Sequence, residues 1–85
     1  RRARADARAA LAPVRERVKE VEGKLEKLRL EDRLIERKLA DPDFYNKRKA
    51  ADITWASTRR AAIAHQLGLL EDEWLELSAR LEDVA

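Results

Sequence analysis

Apolar residues return every three or four positions along almost the whole chain, and the pattern breaks once, at Asp41-Pro42-Asp43. Before the break the repeat runs through Leu11, Val14, Val18, Val21, Leu25, Leu28, Asp32, Ile35 and Leu39. After it the repeat runs through Ile53, Ala56, Arg60, Ile63, Leu67, Leu70, Trp74, Leu77, Leu81 and Val84. Alternating spacings of three and four place one residue of each step on a single helix stripe, the a/d seam of a coiled coil. Either stripe alone would lie in water. Two stripes joined by a short connection can bury each other. The expected fold is all-α: two long helices forming an antiparallel coiled-coil hairpin. The competing reading is a single long helix, kinked at Pro42, that dimerises. The acid-proline-acid turn argues for the hairpin.

The break has a local chemistry. Pro42 cannot continue a helix and drives Asp41 out of the α region. Helix one is therefore expected over about 13–40, the tip over 41–46 and helix two over about 47–84. Asp41 can cap a short turn that has Pro42 at its first position. Asn46 is the expected cap of the second helix. Phe44 and Tyr45 are expected to fold over the open end of the seam, near Leu39 and Ile53. Pro13 punctuates the other end, so segment 1–12 reads as a short or kinked helical lead-in or linker. Gly23 and Gly68 lie outside both seams and weaken their helices by ~1 kcal/mol each relative to alanine, for no functional reason legible in the sequence.

Composition narrows the class. The chain has 85 residues, enough for one domain, with 42% charged and only 5% aromatic residues. That is the profile of long solvated helices rather than of a compact core. There is no cysteine, hence no disulfide or thiolate metal site, which fits a reducing compartment. No apolar run approaches the ~18 residues of a membrane span, and no signal-peptide pattern opens the chain. It starts at Arg1 and contains no methionine, so it is expected to be part of a larger protein. Glu20 with Lys24 and Glu76 with Arg80 are well-oriented i,i+4 pairs.

Each seam holds one polar misfit, Asp32 and Arg60. Folding about the tip brings the two to similar heights, where a cross-seam ion pair would satisfy both and fix register. The alternative is that each side chain reaches water on its own. Charge is also segregated along the chain. Segment 1–40 carries 13 Lys/Arg and 8 Asp/Glu, whereas segment 61–85 carries one Arg and six acids. In the hairpin, Arg8, Arg15, Arg17 and Lys19 would face Glu71, Asp72, Glu73, Glu76, Glu82 and Asp83, a complementarity that favours antiparallel pairing.

The tip is basic in another way. Lys47, Arg48 and Lys49 are consecutive and cannot all point into one seam; Arg37, Lys38, Arg59 and Arg60 are near them along the helices. Tyr45 and Trp55 sit among these cations. Cations interleaved with aromatic rings suit a phosphate backbone with accessible bases. The candidate nucleic-acid-binding residues are thus Arg37, Lys38, Tyr45, Lys47, Arg48, Lys49, Trp55 and Arg59. The bland reading is a solvated basic surface with the rings packed on aliphatic stems, and composition alone does not separate the two. No catalytic, cofactor or metal site can be assembled. His65, the one histidine, falls on the outer face of helix two. There is no glycine-rich phosphate loop, and the acids of 71–76 lack the spacing of a calcium loop.

Leu39-Ala40-Asp41-Pro42-Asp43-Phe44-Tyr45, followed some thirty residues on by Glu73-Trp74-Leu75-Glu76-Leu77, resembles the C-terminal domain of the ABC-F ATPases. Tyr45-Asn46, the run Arg48-Lys49-Ala50-Ala51-Asp52 and the opening Ala12-Pro13-Val14-Arg15 are more similar to the YheS branch than to the Uup branch. The resemblance covers nearly the whole chain. It implies a coiled-coil hairpin attached after the second of two ATP-binding cassettes in a soluble, cytoplasmic protein. In Uup-like members that domain is associated with DNA binding. In the wider family the whole protein binds the ribosome at the tRNA exit site and acts in translation. Pro42, Phe44 and Tyr45 match the hairpin tip and Trp74 the tryptophan late in helix two, as architectural residues. ATP would be bound by the parent protein and not by this segment, which is itself expected to be a monomeric, non-enzymatic arm contacting DNA or ribosomal RNA. The alternative is a structural or protein-binding arm with no affinity of its own for nucleic acid.

Overall fold

A computed structural model describes residues 1–47 and 49–83. Its order is α1 (Arg2–Ala10), α2 (Ala12–Ala40), α3 (Pro42–Lys47) and α4 (Ala50–Glu82), with no strand among the described residues. The molecule is a rod of 66 × 15 × 15 Å with a radius of gyration of 19.2 Å. A compact domain of this length would have a radius of gyration of roughly 12 Å.

The seam residues make the core. Val14, Val21, Leu25 and Leu77 are buried in one cluster, flanked by Val18, Leu70 and Trp74. Ile35, Ala56 and Ile63 form the second, flanked by Leu28, Leu39 and Phe44. Leu67 packs against both, so the apolar contact is continuous along the rod. Every buried residue belongs to one of the two heptad repeats, and no polar residue is buried among the described ones. Partners on α2 and α4 run in opposite order: Arg17 meets Glu73, while Glu31 and Asp32, further along α2, meet Arg59 and Arg60, further back on α4.

Pro42 begins α3 after an extended Asp41 (φ −86°, ψ 117°), whose carboxylate accepts the Asp43 backbone N–H at 3.0 Å. The Phe44 N–H bonds the Asp41 carbonyl at 3.1 Å, closing the first turn. Asn46 does not cap the second long helix. It lies inside α3, and Lys49, extended at φ −71° and ψ 152°, stands at the start of α4 without a side-chain cap. There the acid Asp52 lies in the first turn, facing the positive end of the helix dipole. Nor do Phe44 and Tyr45 both cover the seam. Neighbours on a helix point about 100° apart, so Phe44 packs against the Ile35–Ala56–Ile63 cluster while Tyr45 stays 47% exposed. The two rings meet edge-on, with centroids 6.0 Å apart.

At the other end, α1 stops at Ala10 and α2 starts one residue later, with Pro13 in its first turn. Leu11 joins them and donates its N–H to the Arg8 carbonyl, which the Arg15 guanidinium also reaches at 3.2 Å. No residue of α1 is buried. Val84 of the expected seam lies outside the described residues.

Candidate nucleic-acid interface

The flanks of the seam decide which cations are available. Arg59 donates two hydrogen bonds to the Glu31 carboxylate, at 2.6 and 2.8 Å. Arg17 does the same with Glu73, at 2.6 and 2.9 Å, and reaches Glu20 at 3.1 Å. Hydrogen bonding to the partner holds the Glu31 and Glu73 carboxyls below the usual carboxylate range and raises Arg59 and Arg17 further above theirs. Forked guanidinium–carboxylate pairs of this kind are the strong form of a charge-assisted hydrogen bond. The polar misfits also meet. Arg60 Nε lies 3.2 Å from Asp32 Oδ1 and its Nη2 lies 3.4 Å from Glu36. Both side chains are partly exposed, so the pair adds little to stability.

Other expected pairs are absent among the described residues. Glu20 is taken by Arg17 rather than Lys24, and Lys19 turns to Glu16 at 3.6 Å along its own helix. Arg15 goes to a backbone carbonyl. Of the four basic residues expected to face the acids of α4, Arg17 does so, and Arg29 joins it by reaching Glu71 at 3.2 Å.

At the tip, Arg37, Lys38, Lys47 and Lys49 are exposed, as are Tyr45 and Trp55, the latter at 63%. Two shallow hollows adjoin there. One is lined by Lys38, Phe44, Trp55 and Ala56 together with Ile35 and Asp52. The other is lined by Lys38, Lys47, Phe44, Asp41 and Asp43. Lys38 and Phe44 border both, so α2, α3 and α4 bring Lys38, Lys47 and Trp55 together around one ring. Arg37, Tyr45 and Lys49 stand outside the hollows. Arg59 sits apart in its Glu31 pair, and Arg48 lies outside the described residues. Three carboxylates, Asp41, Asp43 and Asp52, are interleaved with these cations and temper the local field.

Among the described residues no cluster of three or more His, Cys, Asp or Glu side chains is placed to hold a metal ion, and no helix is long and apolar enough to cross a membrane. The described residues form an elongated, all-helical rod whose two long helices are separated by a proline-initiated turn. Residues 14–79 match the ABC transporter C-terminal domain family, and the chain belongs to it. No curated protein and no solved structure matches the chain.

Proposed function

We propose that this chain is the antiparallel coiled-coil hairpin of an ABC-F ATPase, of the YheS-like branch, and that its tip contacts nucleic acid. The observation that carries the reading is the grouping of Lys38, Lys47 and the exposed Trp55 around Phe44, with Arg37, Tyr45 and Lys49 beside them. In this reading the lysines and Arg37 neutralise phosphates, and Trp55 or Tyr45 offers a face to an unstacked base. Arg48 joins the cations by its place in the sequence. Arg59 contributes only after releasing Glu31. Cytoplasmic DNA or ribosomal RNA is the target, in a translation-linked role, and ATP turnover belongs to the cassettes of the parent protein. A second reading, a structural or protein-binding arm, is favoured by the three tip carboxylates and by the engagement of Arg59.

The test is fluorescence anisotropy of a labelled DNA duplex and of a structured RNA against the chain, over a salt series. The triple change Lys38→Ala, Lys47→Ala and Lys49→Ala should weaken binding and reduce the salt slope by about 2–3, close to one for each lost phosphate contact. Absence of binding to both ligands at low salt sinks the nucleic-acid reading and leaves the structural arm.

A further inference from the structure

Ion pairs bridge α2 and α4 along one side of the seam. Arg17 is held to Glu73, and Glu31 to Arg59. Midway between these two rungs, one heptad from each, come Lys24 on α2 and Gln66 on α4. Both line a single hollow, together with Lys27, Leu28, Leu69 and Leu70. An amide thus stands where a lysine in this ladder calls for a carboxylate. The acids nearby are committed elsewhere. Glu73 and Glu31 each give both oxygens to a guanidinium, and Glu20 is held by Arg17. Lys24 is close enough to favour the charged form of Glu73 but does not bond to it. Lys24 and Lys27 make no ion pair among the described residues.

The floor of the hollow is apolar. Leu28 and Leu70 are half-buried, and Leu69 is 58% exposed. Between Arg59 and Glu73, the α4 residues that directly precede the seam on this side are Ala62, Gln66 and Leu69, all uncharged. Two closed guanidinium–carboxylate pairs therefore bound a bay with one cationic wall and one neutral wall. The bounding pairs are two heptads apart on each helix, so the bay spans about 21 Å.

We propose that this bay docks an acidic, amphipathic helix of another protein, with its apolar side chains on Leu28, Leu69 and Leu70 and two carboxylates on Lys24 and Lys27. The occupant's chemistry follows from charge and shape. Two unpaired lysines three residues apart on one helix face call for two anions about one turn apart. The leucines beside them call for an apolar stripe next to those anions. The bay is open along its length. It would cover one side of a small amphiphile, whereas ligand pockets enclose most of their ligand. A helix laid in a groove needs only one face covered. Nucleic acid would satisfy the lysines and leave the leucines in water, and no ring lines the hollow for a base to stack on. The bay lies on the shaft and shares no residue with the hollows at the tip, so it stands apart from the nucleic-acid reading.

The probe is a synthetic peptide of about 18 residues, long enough to run through the bay and held helical by a lactam on its outer face. Its leucines recur every three or four positions, and two glutamates three residues apart flank that stripe. A second peptide carries lysines in place of those glutamates. Anisotropy of each labelled peptide is read against the unaltered chain and against Lys24→Glu, Lys27→Glu, up to about 1 mM chain, a range suited to a weak contact. The glutamate peptide should bind the unaltered chain about tenfold more tightly than the lysine peptide, and the preference should reverse in the variant. Both replaced side chains are exposed, and circular dichroism checks that the variant keeps its helices. Methyl shifts on the unaltered chain locate the contact without any variant. Leu28, Leu69 and Leu70 should move on adding the glutamate peptide, while the exposed Leu30 and Leu75 stay still. Equal binding of the two peptides, no binding of either, a preference that the variant leaves unchanged, or shifts confined to other leucines would each overturn the proposal. So would a structured RNA that displaces the peptide and moves the same three leucines, or self-association of the chain, seen by sedimentation, that closes the bay to the peptide.

Discussion

Arg59 and Glu31 face each other across the two long helices, and the guanidinium holds the carboxylate through two hydrogen bonds of 2.6 and 2.8 Å. Further down the rod Arg17 and Glu73 repeat the arrangement with the charges exchanged between helices. A slide of α4 against α2 by one heptad would break both pairs, and in one direction would set Lys38 beside Arg59. The two pairs therefore select one register among several that the apolar seam alone would tolerate.

Reversing one charge should expose that selection. Glu31→Arg places two guanidinium groups together and lowers the melting temperature. Adding Arg59→Glu to it restores most of the loss. Thermal melts followed by circular dichroism decide the matter, and a double variant no more stable than the single one would mean that the pair has no part in register.

Acid should loosen the rod through the same carboxylates. Glu31 and Glu73 titrate below their ordinary value when folded, because each is hydrogen-bonded to an arginine. The unfolded chain then binds more protons than the folded one in the interval between. Their stabilisation is present in full above the ordinary glutamate range and is lost as pH falls through the lower, folded values. Melting temperatures from pH 7 down to about pH 3 should fall, and more steeply for the unaltered chain than for Glu31→Gln, Glu73→Gln.

Core truncation should be costly at a few points only. Ile63 has no exposed surface, and Ile63→Ala should destabilise by roughly 2–4 kcal/mol, read by urea titration. Leu30→Ala, at a side chain 51% exposed, should change stability by less than about 0.5 kcal/mol. Similar losses at both sites would contradict the burial pattern.

The cap at the break gives a smaller, local effect. Asp41→Ala removes the acceptor of the Asp43 N–H and should cost about 1 kcal/mol, whereas Asp41→Asn should retain most of it. Amide exchange at Asp43 and Phe44 should quicken in the alanine variant before exchange changes at Val21 or Leu25.

The long helices, their breakpoint and their buried face were legible because a three-four apolar repeat over many turns admits few alternatives. Burial at Val14, Val21, Leu25, Ile35, Ala56, Ile63 and Leu77 follows that repeat. The tip was less legible. Pro42 signals where a helix stops, but not that a new turn begins at once and carries Asn46 with it. Phe44 and Tyr45 are alike in composition, and their different fates follow from helical angle alone. The flanking pairs were also missed at Glu31 and Arg59, though a signal exists. Arg17, Glu31, Arg59 and Glu73 each directly precede a seam residue, the position from which a side chain reaches across. At the candidate site the sequence identifies Lys38, Lys47 and Trp55 by type, but their convergence on Phe44 depends on the fold of α3.

The reversed order of partners has a kinetic consequence. The bridge nearer the tip joins residues 28 apart in the chain, and the one toward the other end joins residues 56 apart. Each layer that closes shortens the loop the next must close, so assembly proceeds as a zipper that nucleates beside Pro42 and runs outward. Opening retraces it. The turns around Val14 and Leu77 fray first, and the tip is the last part of the rod to lose its shape.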